Sequence, residues 1–276
     1  MLVNMREMLQ DAQRHGYAVG LFNTVTLEMA RGVLAAAEDL HAPVILGTAE
    51  VLLTYAPLDA VADMLLPMAR RAGVPVAVHF DHGLTEANMF RALRAGFSSV
   101  MYDCSALPLE ENTARVAAMA QIAHDLDCTI EAELGHVGSN AAPDGGDRFT
   151  DPAQAADYAA RTGVDALAVA IGTAHGVYRS APQLDIGRLD EIAAAVEAPL
   201  VLHGGSGLTE QDFCSCIRHG IRKVNIFKDI NLAALRAARE AYAPGTGMSA
   251  AIPAVVSAVR EAAAEKIRIF GSEGRG

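Results

Sequence analysis

Three apolar runs in this chain end in a histidine beside a glycine: Val76-Ala77-Val78-His79-Phe80-Asp81-His82-Gly83, Leu167 through Ala174-His175-Gly176, and Leu200-Val201-Leu202-His203-Gly204-Gly205-Ser206-Gly207. Neutral imidazole is the commonest metal-ligating side chain, and three of them leave one position of a tetrahedral zinc open to substrate. One histidine at a strand end is ordinarily structural. Three at equivalent depth point to a shared site, provided the strands that carry them are neighbours. Asp81, Asp103, Glu133 and Asn225 fall at or just past strand ends too. His79 shares a strand face with Asp81 and is read as support from inside. His15, His41, His124 and His219 fall in helices or linkers and receive no role; His136 follows Glu133 on a loop.

The elements that must position these groups are legible as eight short apolar or β-branched runs, each followed by a helical pattern. They are Ala18–Asn23, Pro43–Thr48, Val76–Asp81, Ser99–Asp103, Thr129–Leu134, Ala166–Gly172, Pro199–Gly204 and Lys223–Phe227. Near-continuous apolar runs are what parallel strands covered on both faces require. Ala95-Gly96, Thr162-Gly163 and His219-Gly220 read as helix ends; Thr85, Thr150-Asp151-Pro152 and Thr209 read as helix starts. Eight strand–helix units with right-handed crossovers close into a barrel. A doubly wound sheet would carry a Gly-x-Gly-x-x-Gly turn after its first strand, and none is present. The expected fold is therefore α/β, a (β/α)8 barrel. A helix over residues 4–15 plugs its bottom, and an extra C-terminal helix spans 249–270. One domain is expected over 1–276. The active site of such a barrel lies at the C-terminal ends of the strands.

Composition narrows the function classes. The chain has 276 residues, half of them hydrophobic, with a net charge of −11 and no basic run. That excludes nucleic acid and anionic membranes as natural partners. No apolar stretch approaches the roughly 18–20 residues of a membrane span, so a cytoplasmic protein is expected. Cys104, Cys128, Cys214 and Cys216 make no Cys-x-x-Cys pair and read as reduced thiols.

His203-Gly204-Gly205-Ser206-Gly207 follows the seventh strand, and loops after strands seven and eight are the usual phosphate site of barrels. Glycine-rich backbone and a helix N-terminus offer N–H groups to an anion. Lys228, after Asn225-Ile226-Phe227 on the eighth strand, adds positive charge. The chain has three lysines, Lys223, Lys228 and Lys266. None is expected centrally on an inward strand face, so no Schiff-base lysine is anticipated.

His79-Phe80-Asp81-His82-Gly83, Ile130-Glu131-Ala132-Glu133-Leu134-Gly135, Ala170-Ile171-Gly172-Thr173-Ala174-His175-Gly176 and Leu202-His203-Gly204-Gly205-Ser206-Gly207 resemble, in order and spacing, the signatures of zinc-dependent class II ketose-bisphosphate aldolases, the branch with tagatose-bisphosphate aldolase above all. The resemblance implies His82, His175 and His203 as zinc ligands, and Asp81 as the acid serving the nascent alkoxide. It implies that Asn23, Gly176, Gly204, Gly205, Ser206, Asn225, Ile226, Phe227 and Lys228 hold the substrate. Asp103 and Glu133 match positions that bind a second metal in some members, a divalent or monovalent cation. The implied reaction is reversible cleavage of a ketose 1-phosphate or 1,6-bisphosphate to dihydroxyacetone phosphate and an aldehyde. Zinc as a Lewis acid would stabilise the enediolate. The partner is a phosphorylated sugar, and a homodimer or homotetramer is implied.

Two departures stand out. The family's loop glutamate falls at Ala141, with Asp144 and Asp147 nearby, and Lys228-Asp229 replaces a Thr or Ser followed by an acid. They leave open a relative acting on a different sugar or sugar acid, or a silent sugar-phosphate-binding subunit.

Overall fold

The computed structural model describes residues 1–138, 149–176, 182–243 and 247–276. Its strands are β1 (Val19–Asn23), β2 (Val44–Ala49), β3 (Val76–Gly83), β4 (Ser99–Tyr102), β5 (Thr129–Leu134), β6 (Ala166–Val169), β7 (Leu200–Leu202) and β8 (Ile221–Ile226). Each pairs in parallel with the next, and β8 pairs with β1, closing a (β/α)8 barrel without an edge. The helices among the described residues are α1 (Met5–His15), α2 (Leu27–Asp39), α3 (Leu58–Arg71), α4 (Glu86–Ala95), α5 (Leu109–Asp125), α6 (Pro152–Thr162), α7 (Ile186–Ala195), α8 (Glu210–Arg218), α9 (Lys228–Glu240) and α10 (Met248–Ile269). A 3₁₀ turn, Glu50–Thr54, follows β2.

Local signals set these bounds. Thr85, Asp151 and Thr209 each accept a hydrogen bond from a backbone N–H in the first turn of α4, α6 and α8. Gly96 and Gly163 end α4 and α6 in the left-handed region, at φ 93° and 67°. Strand alternation then sorts side chains. In β5, Ile130, Ala132 and Leu134 join the core under the helices, while Thr129, Glu131 and Glu133 take the other face. The lower barrel interior is apolar: Val19, Leu21, Ile45, Ala77, Ala168 and Val201 pack with Met5, Met8, Leu9 and Ala12 of α1, which plugs the bottom as expected.

Four strand boundaries differ from the sequence reading by two residues or more, the first being that β3 runs past Asp81 to Gly83. β6 ends at Val169 because the Ala170 N–H donates to Thr150 Oγ1 (2.8 Å) instead of a neighbouring strand. β7 stops before His203, where the next residue, Gly204, turns left-handed at φ 67°. β8 starts two residues earlier than expected, at Ile221, which pairs with Leu200.

Helix α10 crosses α2 at Gly32, where an added Cβ would lie 2.7 Å from Val259 Cβ and 2.8 Å from the Val256 carbonyl oxygen. Gly32→Val should overpack this crossing and cost about 1–3 kcal/mol. Urea unfolding checks it; unchanged stability would show that α10 shifts freely.

Candidate active site

Three loops bring the histidines together. At the end of β3 the pairing with β4 shifts register between Phe80 and Gly83, and His82 adopts a left-handed φ of 42°. A bulge re-aims a side chain, and a non-glycine residue in this region costs on the order of 1–3 kcal/mol. His175 lies between Gly172 (φ 107°) and Gly176 (φ 100°), and its N–H donates to the Gly138 carbonyl at 2.8 Å. His203 follows β7. The next residue, Gly204, runs so close to the β6 loop that a Cβ there would lie 2.6 Å from the Ala174 carbonyl oxygen.

The outcome is a compact trio. Ring centroids of His82 and His175 are 5.1 Å apart, of His82 and His203 4.6 Å, and of His175 and His203 6.0 Å. One nitrogen of each ring lies within 4.8 Å of the others, close enough for one ion to reach all three. His82 Nδ1 is bonded to Asp103 Oδ2 at 2.7 Å, while its buried Nε2 has no hydrogen-bond partner among the described residues. His203 Nδ1 is bonded to Glu133 Oε2, and its Nε2 to Glu131 Oε1, each at 3.0 Å. A carboxylate behind the imidazole is how ligating histidines are oriented. An orphaned His82 nitrogen and three converging imidazoles fit a zinc-type ion rather than magnesium or calcium, with His203 exchanging one of its two carboxylate bonds for the ion.

Asp103 and Glu133 thus stand behind two of the histidines. With His82 they also bring ligand atoms within 4.8 Å of one another, which leaves a second cation there a proposal. Glu133 has a further task, since its Oε1 accepts the Val137 N–H at 3.0 Å and ties down the loop after β5.

Asp81 is almost wholly buried beside His82, accepting from Asn23 Nδ2 at 2.7 Å and from Asn225 Nδ2 at 3.0 Å. Burial alone would raise its pKa, but the positive charges of His82, Lys223 and His203 hold its carboxyl well below the usual range. His82, despite burial, is pushed up to about 10 by Asp81 and Asp103. His175 goes the other way, to about 3, through burial and the charges of His82 and His203.

A cavity of ≈ 410 Å³ opens over Asp81, His82 and His175. One wall is Gly176, Gly204, Gly205 and Ser206 with Asn225, Ile226, Phe227 and Lys228; Asn23 lines it too. Ser206 Oγ accepts the Lys228 N–H at 3.2 Å, joining the glycine turn to the N-terminus of α9. Asp229 sits outside the lining, its Oδ2 3.6 Å from Lys266 Nζ. His203 is fully buried behind the cavity wall.

The sequence reading missed several residues. Ala49, Val51, Leu52, Asn231 and Leu232 complete the lining, the first three from the end of β2 and the 3₁₀ turn after it, which carry no chemical signature. Glu131 touches His203, and its alternation with Glu133 along an otherwise buried strand was the available signal. Lys223 corrects an expectation. It is fully buried on the inward face of β8, level with Val19 and Val201, because the strand begins at Ile221 and alternation carries both 223 and 225 inward. It still does not line the cavity. Ala141, Asp144 and Asp147 lie outside the described residues.

The model of the class-II fructose-bisphosphate aldolase family matches residues 3–275. The chain belongs to that family. It is a class II aldolase, a metal-dependent lyase, in agreement with the sequence resemblance. Among solved structures it is similar to the YdjI aldolase of Escherichia coli K12, at 38% identity and a TM-score of 0.92, over 100% of this chain and 99% of that one. The fructose-bisphosphate aldolase of Campylobacter jejuni shares the fold at 23% identity and a TM-score of 0.83, over 100% and 97% of the two chains. No helix among the described residues of this aldolase is long and apolar enough to cross a membrane.

Two predictions concern the aldolase site. Burial and the Lys223 charge hold the His79 pKa down to about 3, from 6.5. Burial would raise Glu131, but Lys223 and the His203 hydrogen bond outweigh it and hold it at about 2, from 4.5. Both groups bind fewer protons folded than unfolded, so the stability they contribute is lost as pH falls. The unfolding free energy should decline from pH 6.5 toward 3, and the His79→Phe variant should flatten the part between 6.5 and 4.5. Urea titrations at stepped pH check this, and an equally steep slope in the variant refutes it. Gly204→Ala should push the Ala174 carbonyl away and displace His175, lowering metal affinity on the order of ten-fold without altering a ligand. Chelator competition reads the change.

Proposed function

We propose that the metal is zinc, bound by His82, His175 and His203, and that the enzyme reversibly cleaves a ketose 1-phosphate or 1,6-bisphosphate to dihydroxyacetone phosphate and an aldehyde. The observation that supports this best is the trio of imidazole nitrogens within 4.8 Å of one another, at a cavity lined by His82, His175, Asp81 and a glycine-rich turn. Zinc held there supplies Lewis-acid stabilisation of the negative charge that develops on the donor half as the carbon–carbon bond breaks.

The chain's own residues do the rest. Asp81, kept ionised, takes the proton of the hydroxyl that becomes the aldehyde oxygen and returns it in condensation. Asn23 and Asn225 each donate to one of its oxygens and fix the carboxylate's direction. The backbone from Gly204 to Ser206, the segment from Asn225 to Lys228 and the start of α9 receive the donor phosphate, where N–H groups and a cation suit an anion. The assembly in this reading is a cytoplasmic homodimer or homotetramer. The alternative, the same metal chemistry on a different sugar or sugar acid, draws on Ala141 at the family's glutamate position.

Zinc content measured beside a coupled cleavage assay over a panel of ketose phosphates tests the proposal. Zinc-loaded protein that cleaves none of them overturns the substrate class. Asp81→Ala should keep its zinc and lose turnover by about 10²–10⁴-fold, the range for a positioned acid or base. Near wild-type turnover would assign the proton to another group.

A further inference from the structure

The floor of the site holds a cation of its own. Lys223 is fully buried, with Nζ 3.0 Å from Glu131 Oε1, 2.8 Å from Glu131 Oε2 and 2.8 Å from Asn225 Oδ1. Glu131 Oε1 and Asn225 Oδ1 accept hydrogen bonds from the ammonium, which accepts nothing, and Glu131 Oε2 lies beside it as an ion-pair contact. Each partner then reaches a working group. Glu131 Oε1 is bonded to His203 Nε2 at 3.0 Å, and Asn225 Nδ2 donates to Asp81 Oδ1 at 3.0 Å.

The Asn225 amide explains why a cation is needed. Its two ends differ only in donor and acceptor character. A group that solely donates at one end obliges the carbonyl oxygen to face it, which leaves the NH₂ to face Asp81. Replace the ammonium by a methyl group and the amide is free to turn, presenting an oxygen to the carboxylate. The same ammonium donates to Oε1 of Glu131 and pairs with the carboxylate as a whole, so Glu131 keeps its place against the His203 ring. His79, Asp81 and Glu131 bring ligand atoms within 4.8 Å of one another, the layout of a small cation site, and the cation bonded to its Glu131 is Lys223.

We propose that Lys223 is a positioning residue that sets two parts of the machinery at once: the metal ligand His203 through Glu131, and the proton-transfer carboxylate Asp81 through Asn225. The inference rests on the roles assigned to His203 and Asp81 above. Lys223 does not line the cavity, and its hydrogen bonds run to Glu131 and Asn225, so it acts on the site through them.

Three variants separate positioning from neutralisation of a buried acid. Lys223→Met should lower kcat on the order of a hundred-fold with KM nearly unchanged, and weaken zinc in chelator competition about ten-fold or more, the range for residues behind ligands. Glu131→Gln combined with Lys223→Met removes both charges and should regain the wild-type Tm while kcat and zinc affinity stay low. Lys223→Arg, which keeps a donor-only cation, should recover part of both. A double variant with wild-type kcat and zinc affinity overturns the proposal, as does an unaffected Lys223→Met. Should the variants not fold, wild-type protein labelled at lysine nitrogen decides, because three lysines give three resolvable signals. The Lys223 ammonium signal is expected to shift on zinc loading; an unmoved signal overturns the proposal. Zinc affinity and the lysine signal need no turnover. If no ketose phosphate is cleaved, the functional reading fails while these two measurements still judge Lys223.

Discussion

Charge buried in the upper half of the barrel is the constraint on which the site depends. Asp81, Glu131 and Lys223 are at most 1% exposed, and an isolated ion in such surroundings costs several kcal/mol. The structure meets that cost by alternating sign and by hydrogen bonding every member, from Asn23 to Asp81 to Asn225 to Lys223 to Glu131 to His203. The apolar lower half is joined to this layer by a polar thread, in which Ser99 Oγ lies 2.6 Å from His79 Nδ1 and 3.4 Å from Met5 Sδ of α1. The plug helix is thus part of the support for the charged layer above it.

The second constraint is the close packing of three strand-end loops. His175 hangs on the Gly138 carbonyl, Glu133 grips Val137, and Gly204 abuts Ala174. The first and third contacts couple a histidine-bearing loop to a neighbour rather than to the helices outside, and the second ties down the loop after β5. The strained backbone at His82 persists for the same reason: the bulge between β3 and β4 and the Asp103 hydrogen bond over-determine it.

Much of this was legible in the residues. Apolar runs and helix caps located the strands to within a few positions, and the glycines flanking His82, His175 and His203 marked strand ends. What escaped was what depends on a strand's phase. With β8 read as beginning at Lys223, that residue is not expected centrally on an inward face; the strand begins at Ile221, so Lys223 lies within it, on the face it shares with Asn225. Glu131 escaped because a second acid two residues from Glu133 acquires meaning only once His203 and Lys223 arrive from strands far along the chain. Ala49, Val51 and Leu52 reach the cavity from the end of β2 and its 3₁₀ turn, a geometry that no side-chain type announces.

The separation of the buried charges from the cavity's outer wall bears on how the protein senses ionic strength. Mobile ions screen charges in contact with solvent over about 8–10 Å, and reach a sealed interior far less. The Asp81–Lys223–Glu131 set, closed off from solvent, is insulated from the salt around the molecule. Lys228, half-buried at the lip of the cavity, is not. Salt therefore acts on the charge at the rim and leaves the charges on the floor alone, so the two halves of one site answer to different properties of the surrounding solution.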